Sequence, residues 1–219
     1  MQPRCRSSDR LHVCGQAKRT ADARDALSVS AELPPSRWTF PSPIDADPVG
    51  PVALGGDLEP STLVEAYRRG LFPMPLGRRD ELGWFSPDPR AILPADGLHV
   101  SRSLHRSMRS MDITVDRAFT EVMHGCADPS RPHGWINAEF IAAYSRLHEL
   151  GWAHSVEVWV GGELAGGVYG VAIGDFFAGE SMFHRVTDAS KAALVGLVEV
   201  MGRCERPLID VQWSTEHLE

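Results

Sequence analysis

Apolar positions recur every three or four residues between Ser101 and Leu150, and every second residue from Ala153 onward. The first period matches the turn of an α-helix and the second the pleat of a strand. Ser101 is placed to cap a helix running towards Met111, with Leu104, Met108 and Met111 on one face. A second helix begins after Asp116, with Phe119, Val122, Met123 and Cys126 inward. A third begins after Asn137, with Phe140, Ile141, Tyr144 and Leu147 inward and Gly151 as its stop. The alternation from His154 to Val160 reads as a strand, and Gly161-Gly162 as a hairpin turn. Leu164 to Ile173 and Phe176 to Phe183 follow as two more strands, joined at Gly174-Asp175. A helix capped by Asp188 turns Ala192, Val195, Met201 and either Leu197 or Val198 inward, and the last strand is Leu208 to Trp213. Helices, then a three-stranded meander, a helix and a strand, define an α+β sandwich.

Upstream the pattern is weaker. Pro60 suits a first helical position, Leu63, Ala66 and Tyr67 keep helical spacing, and Gly70 with Pro73 ends the run. The proline-rich stretch from Phe72 to Pro94 reads as loop. Residues 38–98 are therefore expected to form a small irregular N-terminal domain, and residues 99–219 the main one. Residues 1–37 lack either period and end in Pro34-Pro35. They read as a disordered extension or as the product of a misassigned start codon.

Composition narrows the class. With 219 residues and 43% apolar content the chain can bury a sizeable core. No apolar run reaches the roughly 18 to 20 residues needed to cross a bilayer, and the arginines near the amino terminus lead into no apolar signal core. The four cysteines form no Cys-x-x-Cys pair, which points to a reducing cytoplasm rather than a disulfide or zinc framework. A net charge of −7 repels nucleic acid on average, so such a partner requires a local basic patch. Arg102, Arg106 and Arg109 supply one at i, i+4 and i+7, with His99 and His105 beside it.

Several motifs fall short of a chemistry. Gly179-Glu180-Ser181-Met182-Phe183 lacks the second glycine of a nucleophile elbow. His148, Glu149 and His154 have the wrong spacing for a helical zinc pair, so no metal is expected. The meander–helix–strand order is that of acetyltransferases, yet Arg185 to Lys191 has no glycine to cradle a pyrophosphate and carries Asp188, so no coenzyme A or other cofactor is expected. What remains is polar side chains on apolar strands. Asp210 and Gln212 share one face of the last strand while Ile209 and Val211 point into a core. Glu180 stands among Phe176, Ala178 and Met182 at alternate positions. Two such strands make a greasy pocket with a few fixed acceptors, suited to a ligand with an apolar side chain and an amine. A structural hydrogen-bonded pair is the alternative for Asp210 and Gln212.

Seven runs carry a specific resemblance: Ala53 to Leu58, Glu65 to Pro73, Trp84 to Ala91, His99 to Leu104, Ala153 to Trp159, Gly179 to Phe183 and Leu208 to Gln212. In order, over roughly Phe40 to Leu218, they resemble the leucyl/phenylalanyl-tRNA–protein transferase family. The resemblance implies a small first domain followed by an acetyltransferase-like (GNAT-like) mixed-sheet domain. It also implies transfer of leucine or phenylalanine from tRNA to a protein beginning with Arg or Lys, which marks that protein for N-degron degradation, by a cytoplasmic monomer. It makes Asp210 and Gln212 the catalytic pair, and Glu180, Ser181, Met182, Val168 and Met74 the substrate pocket. Tyr67 and Trp135 match positions at the aminoacyl-adenosine end, and Arg68, Arg69, Arg78, Arg102, Arg106 and Arg109 would meet the tRNA backbone. Three departures stand out. Met74 replaces a tryptophan, Val168 replaces a larger residue and widens the pocket towards phenylalanine, and the chain stops at Glu219 where the family continues into a closing strand. The domain is therefore expected to be truncated at its C-terminus. A related acyltransferase with another donor, or a non-catalytic protein binding tRNA or N-degrons, is the competing reading.

Overall fold

A computed structural model describes residues 30–44, 46–77, 81–95, 98–130 and 134–213. Two sheets organise these residues. The smaller has β1 (Pro51–Leu54), β2 (Phe72–Leu76) and β3 (Glu81–Phe85) in the order β1-β3-β2, both pairings antiparallel. Helix α1 (Pro60–Arg68) lies between β1 and β2 in sequence and packs against β2. Strands β2 and β3 fall within sequence that reads as loop. The reason is visible in the order: Pro51, Pro73 and Pro75 sit on the two outer strands, where a missing N–H costs no interior ladder bond. Only β3, in the middle, is free of proline.

The larger sheet has six strands in the order β4-β9-β8-β7-β6-β5. Its members are β4 (Ala91–Leu93), β5 (Asp112–Val115), β6 (Ala153–Val160), β7 (Glu163–Ile173), β8 (Phe176–His184) and β9 (Leu208–Gln212). The meander β6-β7-β8 and β9 stand where the two-residue period put them. The turn at Gly161-Gly162 has φ of 61° and 85°, the left-handed pair that glycine accepts without strain. Helix α5 (Ala189–Met201) carries the chain from β8 to β9, which pair in parallel. The opposite flank of β9 is taken by β4, antiparallel, with Ala91 opposite Gln212 and Ile92 opposite Asp210. The short strands β4 and β5 lie at the sheet's two edges, and neither was legible in the period.

Three helices complete the layers: α2 (Arg102–Ser107), α3 (Phe119–Cys126) and α4 (Ala138–Glu149). Ser101 caps α2 and Asn137 caps α4, each accepting from an N–H three residues on, at 3.1 Å. The helix expected to reach Met111 ends at Ser107 and continues as a 3₁₀ turn over Met108–Ser110. Asp188 precedes α5 but does not cap it with its side chain. At φ 69° it turns away and accepts from the Ser107 hydroxyl at 2.7 Å.

The sheet divides two apolar clusters. On one face α5 covers Val156, Val158, Ala165, Val168, Ala172, Phe177 and Ile209. On the other, α3, α4 and the small sheet enclose Tyr67, Phe72, Trp84, Phe119, Tyr144, Tyr169 and Ala178. Residues 30–37, grouped with the extension on sequence, belong to this second side. Ala31 exchanges hydrogen bonds with Leu150 O and the Trp152 indole, Leu33 packs on the cluster, and Arg37 reaches Asp57. The extension reading for residues 1–29 lies outside the described residues.

Candidate active site

Strands β8 and β9 run side by side only as far as Ala178 and Asp210. Beyond that pair both continue, but they separate. Gly179 stands at the fork, where an added Cβ would lie 3.5 Å from Asp210 O. Two irregularities shape the fork. On β8 the pairing with β7 steps from Gly179 to Ser181, leaving Glu180 as the extra residue of a bulge. On β9 Gln212 takes φ 58°, and the next N–H, of Trp213, bonds to Val211 O at 2.7 Å. A non-glycine residue in the left-handed region stores about 1 kcal/mol or more of strain, and such residues gather at functional sites.

The bulge corrects one expectation. Strict alternation put Met182 on the face of Glu180. With one residue inserted, Met182 falls opposite Val168 and both pack beneath α5, on the other face from Glu180. Val168 is buried there and Met182 partly so.

Glu180 anchors a polar chain on the α3/α4 side. Gln212 donates through Nε2 to Glu180 Oε1 at 3.2 Å. Tyr144 donates to Glu180 Oε2 at 3.4 Å, and its oxygen lies 2.5 Å from that of Tyr67. Burial, helped by the charge of Asp210, pushes the Glu180 carboxyl up to about 8, against the Tyr67 and Tyr144 hydroxyls and the Arg90 guanidinium. Burial and the nearby Glu180 charge hold both tyrosine hydroxyls well above their ordinary range, so they stay protonated donors.

Asp210, buried on the same face, is met by three donors. Arg90 gives Nε to Oδ1 at 2.8 Å and Nη2 to Oδ2 at 2.5 Å. The third donor is the backbone N–H of Gln212, on Oδ1 at 3.0 Å. Asp210 therefore acts on Gln212 through the backbone turn rather than through the carboxamide. Arg90 also donates Nη1 to Gly70 O at 3.1 Å and lies over the Phe72 ring, 5.0 Å from its centre. A cleft of about 470 Å³ opens beside this group, with Tyr67, Arg68, Arg90, Asp210, Ile92 and Phe176 among its lining. Its apolar walls and few convergent polar groups are those of a ligand site.

The other expected residues divide. Tyr67 is buried in the polar chain rather than free to stack on a base. Trp135 is partly buried, edge-on to Phe140 at 5.3 Å, and Phe140 stacks on Tyr144, so the indole adjoins the chain through one ring. Ser181 pairs with Tyr169 across the bulge. Met74 lies on β2 and packs on the cluster that holds Phe72 and Trp84. Arg102, Arg106 and Arg109 are all exposed, although the 3₁₀ turn at Arg109 interrupts their helical stripe. Arg68 lies over the Trp152 ring at 5.4 Å and Arg69 pairs with Glu65 at 2.7 Å. Arg78 lies outside the described residues. Sequence reasoning missed Arg90 and Tyr144 as site residues. Tyr144 was read as a core position, and Arg90 finds its carboxylate 120 residues away in sequence.

Asp116, His148 and His154 form one further cluster in which single ligand atoms come close enough to share an ion. His154 Nδ1 lies 2.7 Å from Asp116 Oδ2 and Nε2 lies 3.1 Å from Gly151 O, so both ring nitrogens face oxygens of the protein. His148 Nδ1 meets Ala153 O at 2.8 Å and the ring stacks on Phe119. The cluster is a clamp between the end of α4 and the turn before α3.

Comparison with known families identifies the chain's relatives. The family model described as "Leucyl/phenylalanyl-tRNA protein transferase" matches residues 92–219, and that of its N-terminal domain matches residues 56–88. A protein named leucyl/phenylalanyl-tRNA–protein transferase from Tolumonas auensis is 48% identical over 186 residues, covering 82% of this chain and 79% of its own. Proteins of the same name from Nitrosomonas europaea and Stutzerimonas stutzeri are 52% and 53% identical, covering 78% and 79% of this chain and 74% and 78% of theirs.

Proposed function

The chain belongs to the leucyl/phenylalanyl-tRNA–protein transferase family and is an aminoacyltransferase, and from that premise we propose that the fork between β8 and β9 is where amine meets ester. The observation that carries this reading is the unbroken link from Asp210 through the Gln212 turn to Glu180. With Nε2 engaged by Glu180, the carboxamide presents its oxygen to the fork as a fixed acceptor. An attacking α-amine, which titrates near 7.7 to 8.0, needs such an acceptor to hold its lone pair towards the ester carbonyl. The C–N bond forms and the C–O bond to the tRNA ribose breaks. The amine gives up one proton and the departing ribose oxygen takes one, directly or through water. Asp210 and Gln212 orient the amine, and neither is asked to be a strong base. No metal and no coenzyme enters this balance.

The donor's leucyl or phenylalanyl side chain enters the fork on the α5 side, where Val168 and Met182 are apolar and Met182 is only partly covered. Ser181 borders it, Glu180 stands across the strand on the opposite face, and Met74 shapes the small-sheet side. Tyr67 and Trp135 stand towards the terminal adenosine, and Arg68, Arg69, Arg78, Arg102, Arg106 and Arg109 meet phosphates of the tRNA. The acceptor is a protein with N-terminal Arg or Lys, destined for the N-degron route. The enzyme works in the cytoplasm as a monomer. Among the described residues, no helix is long and apolar enough to cross a membrane.

The test is single-turnover transfer from labelled leucyl-tRNA to an Arg-initiated peptide. Asp210→Ala releases the Gln212 turn and leaves Arg90 unpaired, so transfer falls at least about 100-fold while the donor still binds. Transfer at the wild-type rate would remove Asp210 from the mechanism.

A further inference from the structure

At the fork, the Arg90 side chain reaches from the six-stranded sheet to the small sheet's unit. It precedes β4 directly, and Ala91, the next residue, pairs with Gln212. Its guanidinium spans three partners: both oxygens of Asp210, the carbonyl of Gly70 and the face of Phe72. Gly70 closes α1 at φ 76° and Phe72 opens β2, so these last two partners belong to the small sheet's unit. Phe72 in turn meets Trp213 edge-on at 5.0 Å, on the residue that follows the Gln212 turn. The strained turn is thus held from both ends. Asp210 fixes its N–H from within, and Trp213 is docked on the same ring that Arg90 covers.

We propose that Arg90 is a positioning residue for transfer, which holds the Asp210 carboxylate at two points and so registers the Gln212 carboxamide against the seat of the small sheet. This inference rests on the reading that Asp210 and Gln212 orient the amine. Three features separate the role from that of an ordinary ion pair. The contact is two-point, so it fixes the plane of the carboxylate as well as its place. The oxygen that accepts Arg90 Nε also accepts the Gln212 N–H, so a tilt of the carboxylate moves the turn. The carboxylate is buried while the arginine is partly open to the cleft, with side-chain exposures of 4% and 22%. An unpaired Asp210 therefore has no water of its own to turn to. Lysine carries the charge but cannot supply the planar fork or the third donor to Gly70.

The experiment compares Arg90→Lys, Arg90→Ala and Asp210→Asn in the full chain, with leucyl-tRNA and an Arg-initiated peptide. Each variant is first checked for a cooperative melt. The expected result is a fall in kcat of about 10-fold for Arg90→Lys and about 100-fold for Arg90→Ala, with KM for both substrates within about 2-fold. Millimolar guanidinium, far below denaturing concentration, restores at least 5-fold of the Arg90→Ala loss, and methylammonium does not. A structural role would lower the melting temperature without this selective rescue. Arg90→Ala at wild-type kcat, a loss confined to KM, or a loss indifferent to guanidinium would overturn the proposal. If Asp210→Asn itself retains full activity, the underlying reading fails. If Asp210→Asn is inactive and Arg90→Ala is not, only the role of Arg90 fails.

Discussion

The two faces of the six-stranded sheet are built to opposite rules. Beneath α5 the contacts are apolar and very close. An added Cβ at Gly166 would lie 2.8 Å from Ala189 Cβ and 2.9 Å from Phe183 O, and one at Gly196 would lie 2.7 Å from Ile113. The other face has an apolar frame too, but it holds connected polar groups: Tyr67, Tyr144, Glu180 and Gln212 in one chain, joined at the Gln212 N–H to Asp210 and Arg90. The close-packed face obtains its stability from contact area, which is non-directional. The polar face obtains direction from hydrogen bonds that are modest in net energy but costly to leave half made. Strand β9 belongs to both, with Ile209 in the α5 core and Asp210 in the polar set. The difference teaches that one strand can be pinned by packing while it aims a buried carboxylate and carboxamide.

The largest effect that separates the faces is expected at Gly166. Gly166→Val places a branched side chain against Ala189 and the β8 backbone, where neither neighbour can swing away. A loss of about 3 kcal/mol in urea unfolding is expected, with transfer per folded molecule unchanged. If transfer per folded molecule fell in parallel, the α5 face would be part of the chemistry rather than its support.

How far these rules could be read in advance follows from the same contrast. Packing leaves a period in the sequence. The inward positions of α3, namely Phe119, Val122, Met123 and Cys126, and the meander from Ala153 to His184 were legible because burial imposes 3.6- and 2-residue repeats. Proline-bearing β2 and the three-residue β4 leave no such trace. Asp210 and Gln212 stood out as polar residues on an apolar strand, and Glu180 did so for the same reason. Their partners did not. Tyr144 keeps the helical period of the core while using its hydroxyl for the polar chain. Arg90 belongs to a proline-rich loop and needs the closed fold to meet Asp210. The one-residue bulge at Glu180 was also invisible, and it moved Met182 to the opposite face.

A second effect tests the polar face through pH. The Glu180 carboxyl is raised from 4.5 to about 8, chiefly by burial. Folded protein therefore binds a proton between these values that unfolded protein has released. Stability from this group is complete below about pH 4.5 and is lost as pH rises through about 8. Glu180→Gln cannot ionise. Its stability relative to wild type should thus increase from about pH 5 to pH 8 and level off above, as read from urea midpoints across that range. A constant difference over the range would mean that Glu180 is ionised in the fold, and the polar face would then be a charged site rather than a neutral hydrogen-bonded one.

The smallest effect decides whether the close-packed face also selects the donor. Val168 and Met182 lie opposite each other beneath α5, Met182 on the part of β8 beyond the fork. If the donor side chain enters there, Val168→Met removes room that phenylalanine needs more than leucine does. The ratio of phenylalanyl to leucyl transfer, measured with both donors in one tube, should fall about 5-fold, in line with the weak discrimination that a change of one or two carbons gives an apolar pocket. Overpacking a buried site also lowers the amount of folded enzyme. The competition ratio is immune to that loss, because both donors meet the same surviving molecules. An unchanged ratio with reduced stability would assign Val168 to support alone and confine donor selection to the polar side of the sheet. A shifted ratio would mean that β7 and β8 serve the chemistry from both faces, with the bulge at Glu180 as the device that lets one strand present Met182 to the side chain and Glu180 to the amine-holding carboxamide.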